Sequence, residues 1–235
     1  MDNASHTAVR TGLFARRECW VPTRRLWVVL AVLLLGGAFL ASHSLSSFLS
    51  ARSPVSANVL VVEGWLPDFA MQGAIEEFKR GGYKYVITSG GGLPDGWLAG
   101  RFKTGAEFAA ANLAALGLPT NVIVPAPSAR VGRDRTYAAA LAVKEWLRMA
   151  HPEVRAVNLY SLGPHARRSR LLFQKAMGNK VKVGVIAHPD NRYDSKRWWA
   201  SMDGFTEVTQ EGFAYLYAKC LFRPPAEHGR RTTDH

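Results

Sequence analysis

Leu159-Tyr160-Ser161-Leu162-Gly163-Pro164-His165-Ala166-Arg167-Arg168-Ser169-Arg170 reads as the end of a strand, a Gly-Pro punctuation and the opening turns of a helix. Pro164 suits a first helical position, where a missing N–H would have had no partner. The free N–H groups of a helix start and the positive end of its dipole already favour an anion. A histidine and three arginines placed there are electrostatically costly unless something negative offsets them. The stretch therefore reads as half of a phosphate or carboxylate site. His165 and Arg168, three residues apart, share a helix face and are expected to look into a cleft at the strand ends. Arg167 and Arg170 fall on the other side, toward the surface or anionic lipid headgroups.

The same strand-to-helix rhythm extends in both directions. Short apolar runs at 58–62, 85–88, 122–124, 156–162 and 181–186 predict five strands. Helical patterns occupy 68–80, 104–116, 134 or 136 to about 150, 164–177 and 206–220. Asp68 is the expected cap of the first and Asp134 or Thr136 of the third; Gly81-Gly82 and Gly117 are stops. Such alternation implies βαβ units, a parallel sheet covered on both faces and right-handed crossovers. Ligands of these sheets bind beyond the carboxyl ends of the strands.

The strand-end loops hold the remaining candidates. After the first strand comes Glu63-Gly64-Trp65, and after the second Ser89-Gly90-Gly91-Gly92, whose backbone can approach an anion or a sugar closely. The glycine loop is neither a Walker loop nor a dinucleotide fingerprint. Glu107, in the first turns of the next helix, is either a general base or an acid favoured by the dipole. Arg133, Arg135 and Thr136 repeat the basic pattern at another helix start. Tyr193, Trp198 and Trp199 read as pocket lining, membrane-interface residues or core.

The composition is that of one globular domain with appendages, 48% hydrophobic over 235 residues. Leu26 to Ala41 carries no charge, and the stretch to Leu49 adds only His43, which makes a transmembrane helix the expectation. Arginines crowd the segment before it, and only Arg52 follows before Glu63, so the positive-inside bias puts the N-terminus in the cytoplasm. A cleaved signal peptide is the competing reading. The expected organisation is a disordered cytoplasmic tail (1–25), an anchor (26–45), a spacer (46–57), an α/β domain (58–222) and a disordered tail (223–235). This topology sets Cys19 and Cys220 on opposite sides of the membrane, so no disulfide is expected. It also removes nucleic acid as a partner despite a net charge of +12. No metal-site spacing occurs, and no cofactor can be named.

Glycine after strand one, Ser-Gly-Gly after strand two, a glutamate opening the next helix, Arg-Asp-x-Thr opening another and His-x-x-Arg after strand four occur in that order. The order resembles the YdcF/SanA/ElyC-like family of bacteria over about residues 58–190. The resemblance implies a Rossmann-like, doubly wound α/β/α domain with a mainly parallel five-stranded sheet. It also implies a membrane tether, a periplasmic or extracytoplasmic location at the inner (plasma) membrane, and a role in peptidoglycan or surface-polysaccharide assembly. Carried over residue by residue, the family's strand-end positions fall on Gly64, Ser89, Gly90, Gly91, Glu107, Arg133, Thr136, His165 and Arg168. Two departures stand out. Asp68-Phe69-Ala70-Met71-Gln72 lacks the arginine that members place in the first helix, and the loop 63–68 is bulkier than the usual turn.

Two functions follow. In one, an enzyme acts on a phosphate-bearing, lipid-linked envelope precursor or other small anion: His165 and Glu107 exchange protons, Arg133 and Arg168 clamp the anion, and Gly64, Ser89, Gly90, Gly91 and Thr136 complete the binding site. In the other, a catalytically silent module binds such a ligand or an envelope-assembly protein.

Overall fold

The computed structural model describes residues 23–94 and 100–225, apart from the side chains of Ala38, Ala41 and Ser42. The chain divides into two units, Met1–Ala41 and Ser42–His235. Helix α1 (Arg24–Leu49) passes through that boundary. Its first part exposes Leu26, Trp27, Val29, Leu33, Leu35 and Leu40. Among the described residues no helix is long and apolar enough to cross a membrane. The anchor expected over 26–45 includes the three positions whose side chains fall outside the description, and the tails expected over 1–25 and 223–235 lie largely outside the described residues.

The second unit is an α/β sandwich. Strands β2 (Val59–Glu63), β3 (Tyr85–Gly90), β4 (Ile123–Pro127), β5 (Ala156–Leu162) and β6 (Lys182–His188) are all parallel. A two-residue strand β1 (Arg52–Ser53) pairs antiparallel with β6, giving six strands in the order β1-β6-β5-β2-β3-β4. The expected five-stranded sheet is thus corrected to six. The added strand lies in the stretch expected to be a spacer, much of which is tied down. Arg52 Nη2 donates to Glu77 at 3.2 Å, and the side-chain amide of Asn158 both accepts from Val55 N and donates to Val55 O at 2.8 Å.

Strand alternation decides what each face carries. Val59, Val61, Ile87, Val157, Leu159, Val183 and Val185 face α4 (Arg135–Ala150) and α5 (His165–Met177). Leu60, Val62, Val86, Tyr160 and Ile186 face α2 (Asp68–Gly81) and α3 (Gly105–Ala115). A smaller cluster joins Leu49 of α1 to Tyr193, Trp198 and Val208 of α6 (Met202–Leu216), so two of the three loop aromatics are core. Trp199 stays partly exposed against His43.

Two helix starts differ from expectation. Pro67 precedes α2 without a side-chain cap, and Asp68 instead accepts from Asn112 Nδ2 at 2.8 Å. Asp134 stands at the N-cap position of α4 with φ 55°, a left-handed turn in which its side chain caps nothing. Gly82, also left-handed at φ 65°, ends α2 as its sequence implies.

Candidate functional site

From β2 the chain adds β3 and β4 on one side, then returns to lay β5 and β6 on the other. The carboxyl ends of β2 and β5 therefore flank the topological switch point, where parallel sheets open a crevice. Extending the alternation by one step puts Glu63, the last residue of β2, and Ser161 of β5 on the α5 side. Both are buried, and so is Ser169, one turn into α5.

These residues form a continuous polar cluster. The Ser161 hydroxyl donates to Glu63 Oε2, and the Ser169 hydroxyl donates to Glu63 Oε1 at 2.8 Å. His165 Nε2 lies 3.6 Å from the same Oε1. On its other side His165 Nδ1 donates to Glu211 Oε1 at 2.9 Å. Arg168 grips Glu211 with two donors, Nε to Oε2 at 2.7 Å and Nη2 to Oε1 at 3.0 Å. Two carboxylates thus meet one imidazolium and one guanidinium, and the cluster is neutral overall. The offset that the basic helix start demands comes from within the chain.

Electrostatics follow from this balance. Burial alone would strip the proton from His165, but the charge of Glu63 and the hydrogen bond to Glu211 override it and push the imidazole up to about 9. Burial would raise Glu211, yet hydrogen bonds from His165 and Arg168 hold it down at about 2. Glu63 is likewise lowered: the His165 charge and three side-chain hydrogen bonds outweigh its desolvation. This balance favours the imidazolium, and Arg168 Nη2 stands 2.9 Å from Nδ1 while donating to the same Glu211 Oε1. The Trp65 indole stands edge-on against the His165 ring, ring centres 4.7 Å apart, with half of its own surface exposed.

The glycine positions serve close packing. A Cβ on Gly64 would sit 2.5 Å from Gly105 O and 2.7 Å from Ser89 O, and one on Gly90 would sit 2.9 Å from Ala106 N. Gly64 N donates to Ser89 O at 2.7 Å, and Gly105 N donates to Gly91 O at 2.8 Å. The loop thus turns the Gly91 carbonyl to the start of α3, the Ser89 carbonyl to Gly64 and the Gly90 carbonyl to Ser128. Ser89 is buried, its hydroxyl 3.5 Å from Val62 O. Glu107 closes a capping box with Thr104, and its Oε2 accepts from Lys103 N at 2.9 Å and Thr104 N at 3.2 Å. It opens α3, on the sheet face opposite α5. Arg133 is exposed just before α4, and Thr136 is half-buried in its first turn. Because α4 and α5 pack side by side and run in the same direction, both helix starts lie at the same edge of the sheet.

Arg167 and Arg170 are also placed. Arg167 donates to Phe48 O and lies 3.9 Å over the Phe48 ring, which ties α5 to the last turn of α1. Arg170 Nε donates to Val183 O at 3.0 Å. Among the described residues no group of three or more His, Cys, Asp or Glu side chains is placed to hold a metal ion.

The structure brings His165 and Arg168 together, sets Gly64, Ser89, Gly90, Gly91 and Glu107 around the start of α3, and leaves Arg133 and Thr136 at the start of α4. The sequence reading named Glu63 only as part of a strand-end loop and missed three other members of the cluster. Glu63, Ser161 and Ser169 were accessible through strand and helix periodicity. Glu211, 46 residues beyond His165, had no local signal. No protein-family profile, no curated protein and no solved structure matches this chain.

Proposed function

We propose that the chain is a membrane-tethered, extracytoplasmic α/β domain of envelope biogenesis that binds a phosphate-bearing, lipid-linked precursor at the carboxyl-end edge of its sheet. The observation that carries this reading is the switch point itself, where parallel sheets take ligands, with the Glu63–His165–Glu211–Arg168 cluster on its α5 side. The cluster balances its own charges, so the cation offered to a phosphate is Arg133. Arg133 stands exposed at the same edge. The tether rests on the charge-free run 26–41 and the arginines that precede it.

A catalytically silent binding module is the second reading, and the electrostatics of the two carboxylates favour it. Their cationic and hydroxyl partners hold Glu63 and Glu211 below the ordinary carboxylate range, away from the near-neutral range of a general base. The test is capture. Full-length protein is purified in native lipid discs, and co-purified lipids are identified by mass spectrometry. An Arg133→Ala/Arg168→Lys double variant should hold the phosphate-bearing lipid about tenfold or more weakly, the loss of one charge-assisted hydrogen bond or more. Equal occupancy in wild type and variant refutes the site. Turnover that vanishes in His165→Gln while capture persists refutes the silent reading. A reporter fused after Arg223 that works only in the cytoplasm refutes the topology.

A further inference from the structure

Helix α6 turns Gly204, Val208 and Glu211 inward. Its opposite face presents Met202, Phe205, Phe213 and Leu216, with Thr206 and Thr209 among them, continued by Tyr217 and Leu221 in the turn that follows. Met202 is 79% exposed, and Phe213 and Leu221 are each 70% exposed, which is far more than a packed surface helix leaves to water. The stripe lies on one helix face. Asp203 and Glu207 lie off its centre, and Glu207 is drawn toward Arg192 at 3.4 Å. Lys196 and Arg197 stand just before the helix, and Lys219 and Arg223 just after it.

The inner side of α6 packs on the last turns of α1. Leu45 and Leu49 join Val208 in one cluster, and Phe48 stands edge-on to Tyr215 with ring centres 5.6 Å apart. Leu45 comes only four residues after Ala41, the end of the charge-free run. Four residues reach at most about 14 Å, and the headgroup zone on each side of a bilayer is roughly 5–8 Å deep.

We propose that the outer face of α6 is a second membrane contact. The helix lies in the plane of the bilayer interface with its apolar stripe among the acyl chains and its flanking lysines and arginines on anionic headgroups. This rests on the anchor reading above.

The test uses full-length protein with Cys19→Ser and Cys220→Ser, reconstituted in phosphatidylethanolamine/phosphatidylglycerol vesicles. A bimane label is placed in turn at Phe213→Cys, at Leu33→Cys within the anchor and at Lys84→Cys at the far end of the sheet. Expected is loss of emission at 213 and 33 with a lipid-borne nitroxide, and loss at 84 only with aqueous iodide. Lipid quenching at 33 with iodide quenching at 213 overturns this proposal and leaves the anchor standing. Shielding of 213 from both quenchers also overturns it and points to a protein partner or a second copy. Iodide quenching at 33 overturns the anchor reading itself, and this proposal with it.

Discussion

Between pH 6.5 and 9 the folded protein should lose the stability that His165 supplies. The imidazole titrates near 6.5 when the chain is unfolded and at about 9 in the fold, where Glu63 and Glu211 hold its proton. Its pKa is raised, so the contribution is fully present below 6.5 and disappears as the pH climbs through 9. In that window the native state holds one more proton at this site than the unfolded state. Unfolding free energy should therefore fall by about 1.4 kcal/mol per pH unit, or roughly 3 kcal/mol in all, with little solvent discount because the ring is 13% exposed. The measurement is urea unfolding of full-length protein in micelles, followed by tryptophan fluorescence from pH 6 to pH 10. His165→Gln supplies the reference, since groups titrating elsewhere cancel in the difference. Glu211→Gln should bring the imidazole down toward its ordinary value and shorten the window. Wild-type stability that is flat or rising across the window, or a slope that survives unchanged in His165→Gln, refutes the charged-cluster assignment.

At the acid end the sign reverses: Glu211 is depressed to about 2, so its contribution is complete above 4.5 and lost as the pH falls through 2, and Glu211→Gln should flatten that limb of the same titration. Gly64→Ala must force apart the backbone of Gly105 and Ser89, which stands 2.5–2.7 Å from the new methyl group. We expect a loss of about 3 kcal/mol, read as a fall in Tm of roughly 6–12 °C, whereas Gly37→Ala, which meets nothing within 4 Å, should leave Tm in place. Thr104→Ala removes half of the α3 capping box and should cost about 1 kcal/mol, a Tm drop of roughly 2–4 °C by thermal melt.

The sequence by itself determined the βα rhythm, because strand and helix periods and glycine or proline stops are written locally. The run 156–162 and the helix after Pro164 are found where the pattern puts them. It also determined which loops share an edge, since a parallel sheet puts every carboxyl end on one side. β1 was illegible: two residues in a Ser- and Ala-containing stretch have no period, and only pairing with Ile186 and Val185 makes them a strand. The meaning of the basic helix start was illegible as well. Cations at the positive end of a helix, taken locally, call for an anion from outside. Tertiary structure supplies two carboxylates instead, Glu63 by ending a neighbouring strand on the α5 face and Glu211 by folding α6 back from 46 residues away. Charge compensation is a three-dimensional sum, so the residues that neutralise His165 and Arg168 could only be named once the strand order and the return of α6 were known.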